Sequence, residues 1–193
     1  MASYNPIIEN WQAGDQQAAE LLYEQYRLPV FRLAYGLLLD QADAEEVVQD
    51  TLLYALNHIS RYDPQRASFK TWLNRIAVSR CRDKRRRKWL PRFSLSAWRE
   101  KGGDVADKRP LPEHITLQNE DDTYLWQAIQ TLSPKLREVI ILRFWGGHTF
   151  REIAEIVDCP LPTAQSRAQF AYKQLRAVYR QEDHLGKPEV HES

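Results

Sequence analysis

The 193-residue sequence has only two cysteines, Cys81 and Cys159, and seven glycines. Neither a C-x-x-C pair nor a nearby pair of histidines accompanies the cysteines, which excludes a disulfide framework and gives no sign of a zinc site. The longest apolar runs, such as residues 139–142, fall far short of the roughly 20 residues of a membrane helix. The N-terminus has no basic and apolar signal pattern. These absences predict a cytoplasmic protein that is not inserted in a membrane.

The charge of the chain is strongly segregated, although its net value is only +1. Residues 1–60 contain two basic and nine acidic side chains, whereas residues 61–92 contain twelve basic and two acidic ones. A chain divided in this way is typical of a protein with two partners of opposite charge.

Apolar residues recur at spacings of three and four along most of the chain, which predicts helices throughout. We expect an all-α protein of two small helical domains joined by a flexible linker. The predicted helices cover residues 15–26, 28–39, 43–59, 68–88, 123–132, 134–145, 150–157 and 163–181. The corresponding organisation is a domain over residues 1–92, a linker over 93–121, a second domain over 122–183 and a tail over 184–193.

Two local signals mark helix starts in the second domain, and a third pattern relates two of its helices. Ser133 precedes Pro134, which suits a first helical position because proline has no N–H to leave unpaired. Thr149 and Glu152 have the spacing of a capping box. The helix at residues 150–157, a short connection and the next helix have helix-turn-helix spacing.

The last of these helices has two distinct faces. One is an apolar stripe of Ala164, Ala168, Ala171, Leu175 and Val178. The other presents Gln165, Ser166, Gln169, Phe170 and Lys173, which are side chains suited to base edges and phosphates. From these residues alone, an ordinary polar helix surface remains an alternative.

The stretch TLSPKLREVIILRFWGGHTFREIAEIVDCPLPTAQSRAQFAYKQLR resembles the fourth region of extracytoplasmic-function (ECF) sigma factors of bacterial RNA polymerase. The resemblance implies a helix-turn-helix that reads the -35 promoter element, with the family's G-T-V-K/R-S-R run at residues 162–167. The implied -35 contacts are Thr163, Gln165, Ser166, Arg167, Gln169, Phe170 and Lys173. Because Gln165 replaces a long cation and glutamine pairs well with adenine, we expect a preference shifted towards adenine.

The helix predicted at residues 43–59 carries an outer stripe of Glu46, Gln49, Asp50 and Leu53. A solvated helix face explains the carboxylates, whereas the leucine within the stripe indicates a partner surface. DAEEVVQD also resembles the second-region motif D-A-E-D-x-x-Q-E/D of the same family, which implies docking on the clamp helices of the polymerase. No nucleophile, histidine or glycine-rich phosphate loop accompanies these carboxylates, so we expect no enzyme activity and no cofactor.

The segment FKTWLNRIAVSRCRDKRRRKW combines an amphipathic helix with more positive charge than a small domain can neutralise. Phosphate is its natural counterion, although RNA and acidic lipid fit such a run as well as DNA does. The pattern F-x-x-W-L-x-x-I-A resembles the ECF second region, which implies -10 recognition by this helix and by the loop before it. Trp72 is interpreted as a core residue rather than a base-stacking wedge. The implied -10 contacts are Asp63, Gln65, Arg66, Lys70, Arg75, Arg82, Arg85, Arg86 and Arg87.

Taken with the resemblance, these patterns predict an ECF-type sigma factor that binds core RNA polymerase and directs initiation by recognising -10 and -35 DNA. The family relationship also implies an anti-sigma factor as a candidate partner. The alternative is a stand-alone helix-turn-helix transcription regulator without sigma activity. The acidic motif beside a basic helix favours the sigma factor, because a simple regulator needs no such docking face.

Overall fold

A computed structural model describes residues 6–89 and 120–185 of the chain. The described part contains helices and turns and no strand, which confirms the all-α prediction. Its α-helices are α1 Pro6–Gln12, α2 Gln16–Leu38, α3 Gln41–Asn57, α4 Phe69–Trp89, α5 Glu120–Thr131, α6 Pro134–Phe144, α7 Phe150–Val157 and α8 Leu161–Leu185, with a 3-10 turn at Ile59–Arg61 between α3 and α4. The predicted linker at 93–121 and tail at 184–193 lie outside the described residues, except for the first turn of α5 and the end of α8.

Helix α2 corrects the sequence prediction, which divided this segment into two helices. The structure has one continuous helix with Pro29 inside it. Proline removes a backbone hydrogen bond and normally breaks a helix. Here the residues that follow it, Val30 and Phe31, are buried in the core, and burial of apolar side chains of this size offsets a cost of about 3 kcal/mol. Helix α1 was not predicted at all.

The N-terminal domain is formed by α1 to α4 around one apolar core. The face of α3 opposite the predicted outer stripe is buried: Ala44, Val47, Val48, Thr51, Leu52 and Ala55. Asp40 begins this helix by accepting a hydrogen bond from the Asp43 N–H at 3.0 Å, a standard N-cap contact. This cap and the inner face together fix which residues of α3 remain outside.

The C-terminal domain is formed by α5 to α8, and α7 with α8 makes the helix-turn-helix. The predicted capping box is present, since Thr149 and Glu152 bond each other's backbone N–H groups. Asp158 ends α7 in the left-handed conformation, which turns the chain sharply into α8. Ser133 does precede α6, but its side chain makes no capping hydrogen bond. Helix α8 begins two residues earlier than predicted, because Pro162 falls in its first turn, where a missing N–H costs nothing.

The two domains pack directly against each other, α2 on α6 and α4 on α7. Helix α2 approaches closely because Gly36 has no side chain: a Cβ at this position would lie 2.8 Å from Trp145 Cζ3 and 2.9 Å from Ile141 Cδ1. Beside this contact, the rings of Tyr35 and Trp126 stack with centroids 5.6 Å apart. The sequence prediction of two separately placed domains did not anticipate this interface.

A buried polar layer extends the contact between α4 and the C-terminal domain. Asn74 Nδ2 lies 2.7 Å from His148 Nε2, and Thr71 Oγ1 donates to Glu152 Oε1 at 3.1 Å. The His148 side chain is only 2% exposed. Burial lowers the pKa of His148, and the nearby positive charge of Lys70 acts in the same direction, while Glu152 opposes both. The imidazole is therefore held neutral, with Nε2 accepting from Asn74.

We expect the free energy of unfolding to decrease as the pH falls below about 6.5, the ordinary histidine pKa. The unfolded chain binds a proton at His148 in that range, whereas the buried ring resists it, so lower pH favours unfolding. Urea denaturation between pH 7.5 and 5.5 measures this dependence. His148→Gln should weaken it, because glutamine can accept from Asn74 without titrating, and equal slopes for both proteins would contradict the prediction.

Candidate functional site

The four residues predicted to dock on a partner form one exposed stripe on α3. Glu46, Gln49, Asp50 and Leu53 are all exposed, and the Leu53 side chain is 59% accessible. Their position follows from the buried opposite face of the same helix. The structure therefore brings together the predicted polar and apolar groups on one accessible surface, which is referred to below as the α3 stripe.

The basic end of α4 lies beside the acidic start of α3. Lys84 pairs with Glu46 and reaches Asp43 at 3.6 Å. Lys88 pairs with Asp43 and lies 3.4 Å from Asp40. These partly buried ion pairs orient the two lysine side chains towards α3.

The expectation that the charge of α4 exceeds what the domain can neutralise is therefore only partly right. Arg86 pairs with Asp83 on its own helix, and the two lysines pair with α3. Across the described residues, three of the predicted -10 contacts make no ion pair: Lys70, Arg75 and Arg87. All three are exposed, so their charge is available to an external anion.

The loop before α4 is held in a tight turn by Asp63. Its Oδ1 accepts a hydrogen bond from the Gln65 N–H at 2.9 Å, and its other oxygen lies 3.9 Å from Arg66 Nε. The side chains of Asp63, Gln65 and Arg66 are exposed. The loop thus presents acceptors and donors together, as readout of a base edge requires.

Aromatic rings pack against one another at the two ends of this loop. Trp72 is half-buried, with its ring 5.5 Å from Tyr62 and 5.6 Å from Phe69. This packing agrees with the interpretation of Trp72 as a core residue, although part of the ring stays accessible.

A neighbouring groove of about 450 Å³ was missed by the sequence reasoning. It contains Arg61, and the guanidinium of Arg80 lies over the Tyr54 ring, 5.0 Å from its centroid. Arg80 lies four residues after Ile76 and seven after Leu73, so helical spacing places it on the apolar side of α4. Its stacking on an aromatic ring of α3 explains how a cation occupies that position.

Helix α8 displays most of its predicted contact set. Gln165, Gln169, Phe170 and Lys173 are exposed, whereas Thr163, Ser166 and Arg167 are half-buried. Phe170 is 63% accessible despite being fully apolar. The Ser166 hydroxyl donates to the Thr163 carbonyl at 3.1 Å, so within the described residues it is already used to brace the start of the helix.

Parts of the two predicted DNA-contacting surfaces lie close together at the domain interface. The loop at residues 61–67 and the helix-turn-helix connection at residues 158–160 line one cleft of about 870 Å³. Arg82, Arg85 and Arg86 of α4 share a second cleft of about 490 Å³ with Arg167 of α8. The structure therefore brings together residues that the sequence assigned to two separate DNA elements.

A buried carboxylate joins the domains at this point. Arg82 donates to Glu138 through Nη2 at 2.7 Å and Nε at 3.2 Å, and Arg85 donates to the same carboxylate. Burial alone would raise the pKa of Glu138, which is 1% exposed, but the hydrogen bonds and charges of the two arginines hold that pKa below its usual value. Arg82 also donates to the Val157 carbonyl at 2.9 Å.

Sequence reasoning missed Glu138 because nothing in its local pattern distinguishes it from a surface glutamate of α6. The only sequence signal was its position in an apolar run that the helical period places inwards.

Within residues 6–89 and 120–185, no three His, Cys, Asp or Glu side chains are grouped so that they could hold a metal ion. No described helix is long and apolar enough to cross a bilayer.

Comparison with known proteins gives two family matches. Residues 22–90 match Sigma-70 region 2, and residues 122–175 match Sigma-70, region 4. The chain is 31% identical over 166 residues to the ECF RNA polymerase sigma-E factor of Escherichia coli K12, covering 83% of this chain and 86% of that protein. It is also 31% identical over 166 residues to ECF RNA polymerase sigma factor SigE of Mycolicibacterium smegmatis, covering 84% of this chain and 63% of that protein.

Solved structures agree on the fold. CnrH in complex with the cytosolic domain of CnrY has a TM-score of 0.63 at 22% identity, covering 90% of this chain and 95% of that one. RpoE of Bartonella quintana in complex with the anti-sigma factor NepR has a TM-score of 0.64 at 24% identity, covering 81% of this chain and 93% of that one.

The two matched regions, in this order and on this helical fold, define a bacterial sigma factor of the Sigma-70 class. Within that class the chain belongs to the ECF sigma factor family, as its sequence predicted. It is a transcription initiation factor that binds core RNA polymerase and recognises promoter DNA. Sigma factors are not themselves enzymes.

Proposed function

We propose that this sigma factor acts through three surfaces, each assigned to one task. The α3 stripe binds core polymerase, the loop at residues 63–67 with the basic face of α4 contacts the -10 element, and the exposed side of α8 reads the -35 element. The observation that carries the proposal is that each of the three surfaces keeps an accessible group of predicted residues. On α3 the whole stripe is exposed, on α4 the exposed cations are Lys70, Arg75 and Arg87, and on α8 the exposed residues are Gln165, Gln169, Phe170 and Lys173. The protein acts in the cytoplasm, carries no catalysis of its own and is controlled by an anti-sigma factor, as RpoE of Bartonella quintana is bound by NepR.

The α3 stripe is suited to a protein partner because it mixes charge with exposed apolar area. Leu53 is surrounded by Gln49 and Asp50 and makes no contribution to the core. Protein interfaces combine an apolar centre with a polar rim, whereas a merely solvated helix face gains nothing from an exposed leucine.

Exchanging the polar members of the stripe should weaken binding to core polymerase. We expect the double variant Gln49→Ala, Asp50→Lys to bind core at least about tenfold less tightly, equivalent to about 1.4 kcal/mol, with unchanged helix content. Fluorescence titration of labelled protein with core polymerase measures the affinity. The matched control is Gln16→Ala, Glu20→Lys, which makes closely similar changes at exposed positions of α2, outside the motif and the stripe. Equal effects of the two double variants would argue against the docking surface.

The basic face of α4 is suited to phosphates and the loop to bases. Lys70, Arg75 and Arg87 have no ion-pair partner among the described residues, and phosphate contacts of this type are independent of sequence. Asp63, Gln65 and Arg66 project from a braced turn, and polar groups on such a pocket can recognise an unstacked base by its edge.

The exposed side of α8 offers two amides to the major groove. Gln165 and Gln169 lie one turn apart and both are exposed. A glutamine matches the acceptor and donor pair of adenine, whereas arginine matches the two acceptors of guanine. Phe170, exposed beside them, is positioned to contact a thymine methyl group.

Replacing Gln165 should change the -35 sequence that the protein selects. We expect Gln165→Arg to move the preference at one position from adenine towards guanine, by about 1 to 3 kcal/mol of discrimination. Selection from a randomised -35 library with both holoenzymes measures this shift. Gln174→Arg is the control, because the same charge is added to an exposed position on the opposite side of α8. Identical motifs for wild type and Gln165→Arg would show that this side chain does not read bases.

Run-off transcription separates the proposed function from the alternative of a stand-alone regulator. Purified protein added to core polymerase should produce initiation at specific sites on genomic template fragments, where core alone initiates at none. A stand-alone regulator would leave core inactive and would only alter initiation by another sigma factor. Transcripts that appear only when a second sigma factor is supplied would refute the proposal.

A further inference from the structure

The run of cations at residues 84–88 of α4 is divided among different neighbours. Its three arginines either pair with carboxylates outside α3 or make no ion pair with a described residue. Lys84 and Lys88 lie one turn apart, as side chains four residues apart on a helix do, and both pair with α3. The run is therefore not one uniform phosphate-binding surface, and the task of its lysines follows from what they contact.

Lys84 lies between two carboxylates of α3. Its ammonium group pairs with Glu46 and is 3.6 Å from Asp43 Oδ1. The Lys84 side chain is only 18% exposed, whereas that of Arg86 in the same run is 72% exposed. A phosphate could reach Lys84 only if the lysine left both carboxylates, so this cation is poorly placed for contact with DNA.

The two carboxylates that Lys84 contacts differ in how much of each remains accessible. Asp43 is 14% exposed, and its second oxygen pairs with Lys88, so both of its oxygens are used within the domain. Glu46 is 53% exposed. Its Oε2 accepts a hydrogen bond from Lys84, whereas no described residue bonds to its Oε1. Glu46 thus has one oxygen held by α4 and one available to an external partner.

This arrangement prepares Glu46 for binding. A glutamate has three rotatable bonds, and a flexible side chain loses conformational freedom when a partner immobilises it. A lysine that already holds the carboxylate in one conformation reduces that cost before the partner arrives. Asp50, the other carboxylate of the α3 stripe, makes no ion pair with a described residue. Glu46 is therefore the acidic member of the stripe whose conformation a second helix fixes.

We propose that Lys84 is a positioning residue for the docking of core polymerase, because it holds Glu46 in the conformation with which the α3 stripe meets its partner. Although Lys84 belongs by sequence to the basic run of α4, it supports the protein-binding surface and does not contact promoter DNA. The inference rests on the proposed assignment of the α3 stripe to core polymerase.

The first test measures the affinity of the full-length protein for core polymerase by fluorescence titration. Lys84→Met keeps most of the side-chain length and removes the ammonium group, and we expect about fivefold weaker binding, within the range that ordering one flexible side chain costs. Lys84→Arg should bind core almost as tightly as wild type, because a guanidinium pairs well with a carboxylate. Unchanged or tighter binding by folded Lys84→Met would overturn the proposal, since the lysine would then be neutral or would mask Glu46.

A double-mutant cycle with Glu46→Ala shows whether Lys84 acts through Glu46. Once Glu46→Ala is present, we expect Lys84→Met to weaken core binding by less than about twofold, because the positioning residue has nothing left to hold. Losses that add fully would show that Lys84 acts independently of Glu46 and would overturn the proposal. Lys84→Gln repeats the cycle if Lys84→Met does not fold, because a polar amide is better tolerated beside Asp43 than a thioether.

Promoter binding by the holoenzyme distinguishes Lys84 from a phosphate contact. At saturating core polymerase, Lys84→Met should leave the salt dependence of promoter binding unchanged, whereas Arg87→Met should reduce its slope by about one. Arg87 is the matched control because this cation of the same run is exposed and makes no ion pair with a described residue. A reduced slope for Lys84→Met would make Lys84 a DNA contact and would overturn the proposal.

Failure of this inference is distinguishable from failure of the docking surface itself. Normal core binding by the double variant Gln49→Ala, Asp50→Lys would overturn both the α3 stripe and the role of Lys84. Weak core binding by that double variant, together with normal binding by folded Lys84→Met, would leave the α3 stripe in place and overturn only the role of Lys84.

Discussion

A single buried carboxylate organises the contact between the two halves of this sigma factor. Glu138 lies on α6 of the C-terminal domain and takes its hydrogen bonds from Arg82 and Arg85 on α4 of the N-terminal domain. Burial makes Glu138 dependent on both arginines, because a carboxylate removed from water is costly unless it is paired and hydrogen-bonded. Together with the packing of α2 on α6 and of α4 on α7, it sets the position of the helix-turn-helix relative to the loop at residues 63–67.

Helix α4 has three tasks, and they are distributed around its circumference. Its buried side contributes Leu73, Ala77 and Cys81 to the core. Burial raises the pKa of the Cys81 thiol to about 12, so this cysteine is an inert apolar residue rather than a reactive one. A second side faces the C-terminal domain through Asn74 and Arg82, and the remaining surface carries exposed cations. One helix can therefore support the fold, the domain contact and a nucleic-acid surface together.

The family relationship assigns two partners to this protein, core polymerase and promoter DNA. The two surfaces proposed to meet them, the α3 stripe and the cations of α4, differ in their electrostatics. On the α3 stripe, accessible leucine and polar groups form a mixed surface appropriate for a protein. Around α4, the cations divide into those with carboxylate partners and those with none among the described residues. Arg82 and Arg85 are paired with Glu138, whereas Lys70, Arg75 and Arg87 are exposed and can attract an external anion at long range.

The sequence by itself determined the helical class, the inner and outer faces of α3 and α8, the capping box at Thr149 and the family, because these features depend on residue spacing and local hydrogen bonding. It divided α2 at Pro29 wrongly, since the cost of that proline is offset by core contacts from distant residues. It also treated Arg82 and Arg85 as free cations. Only the tertiary structure decided that they meet Glu138, because an ion pair between residues more than fifty positions apart depends on how two domains pack. The helical spacing of neighbouring residues carries no information about such a distant partner.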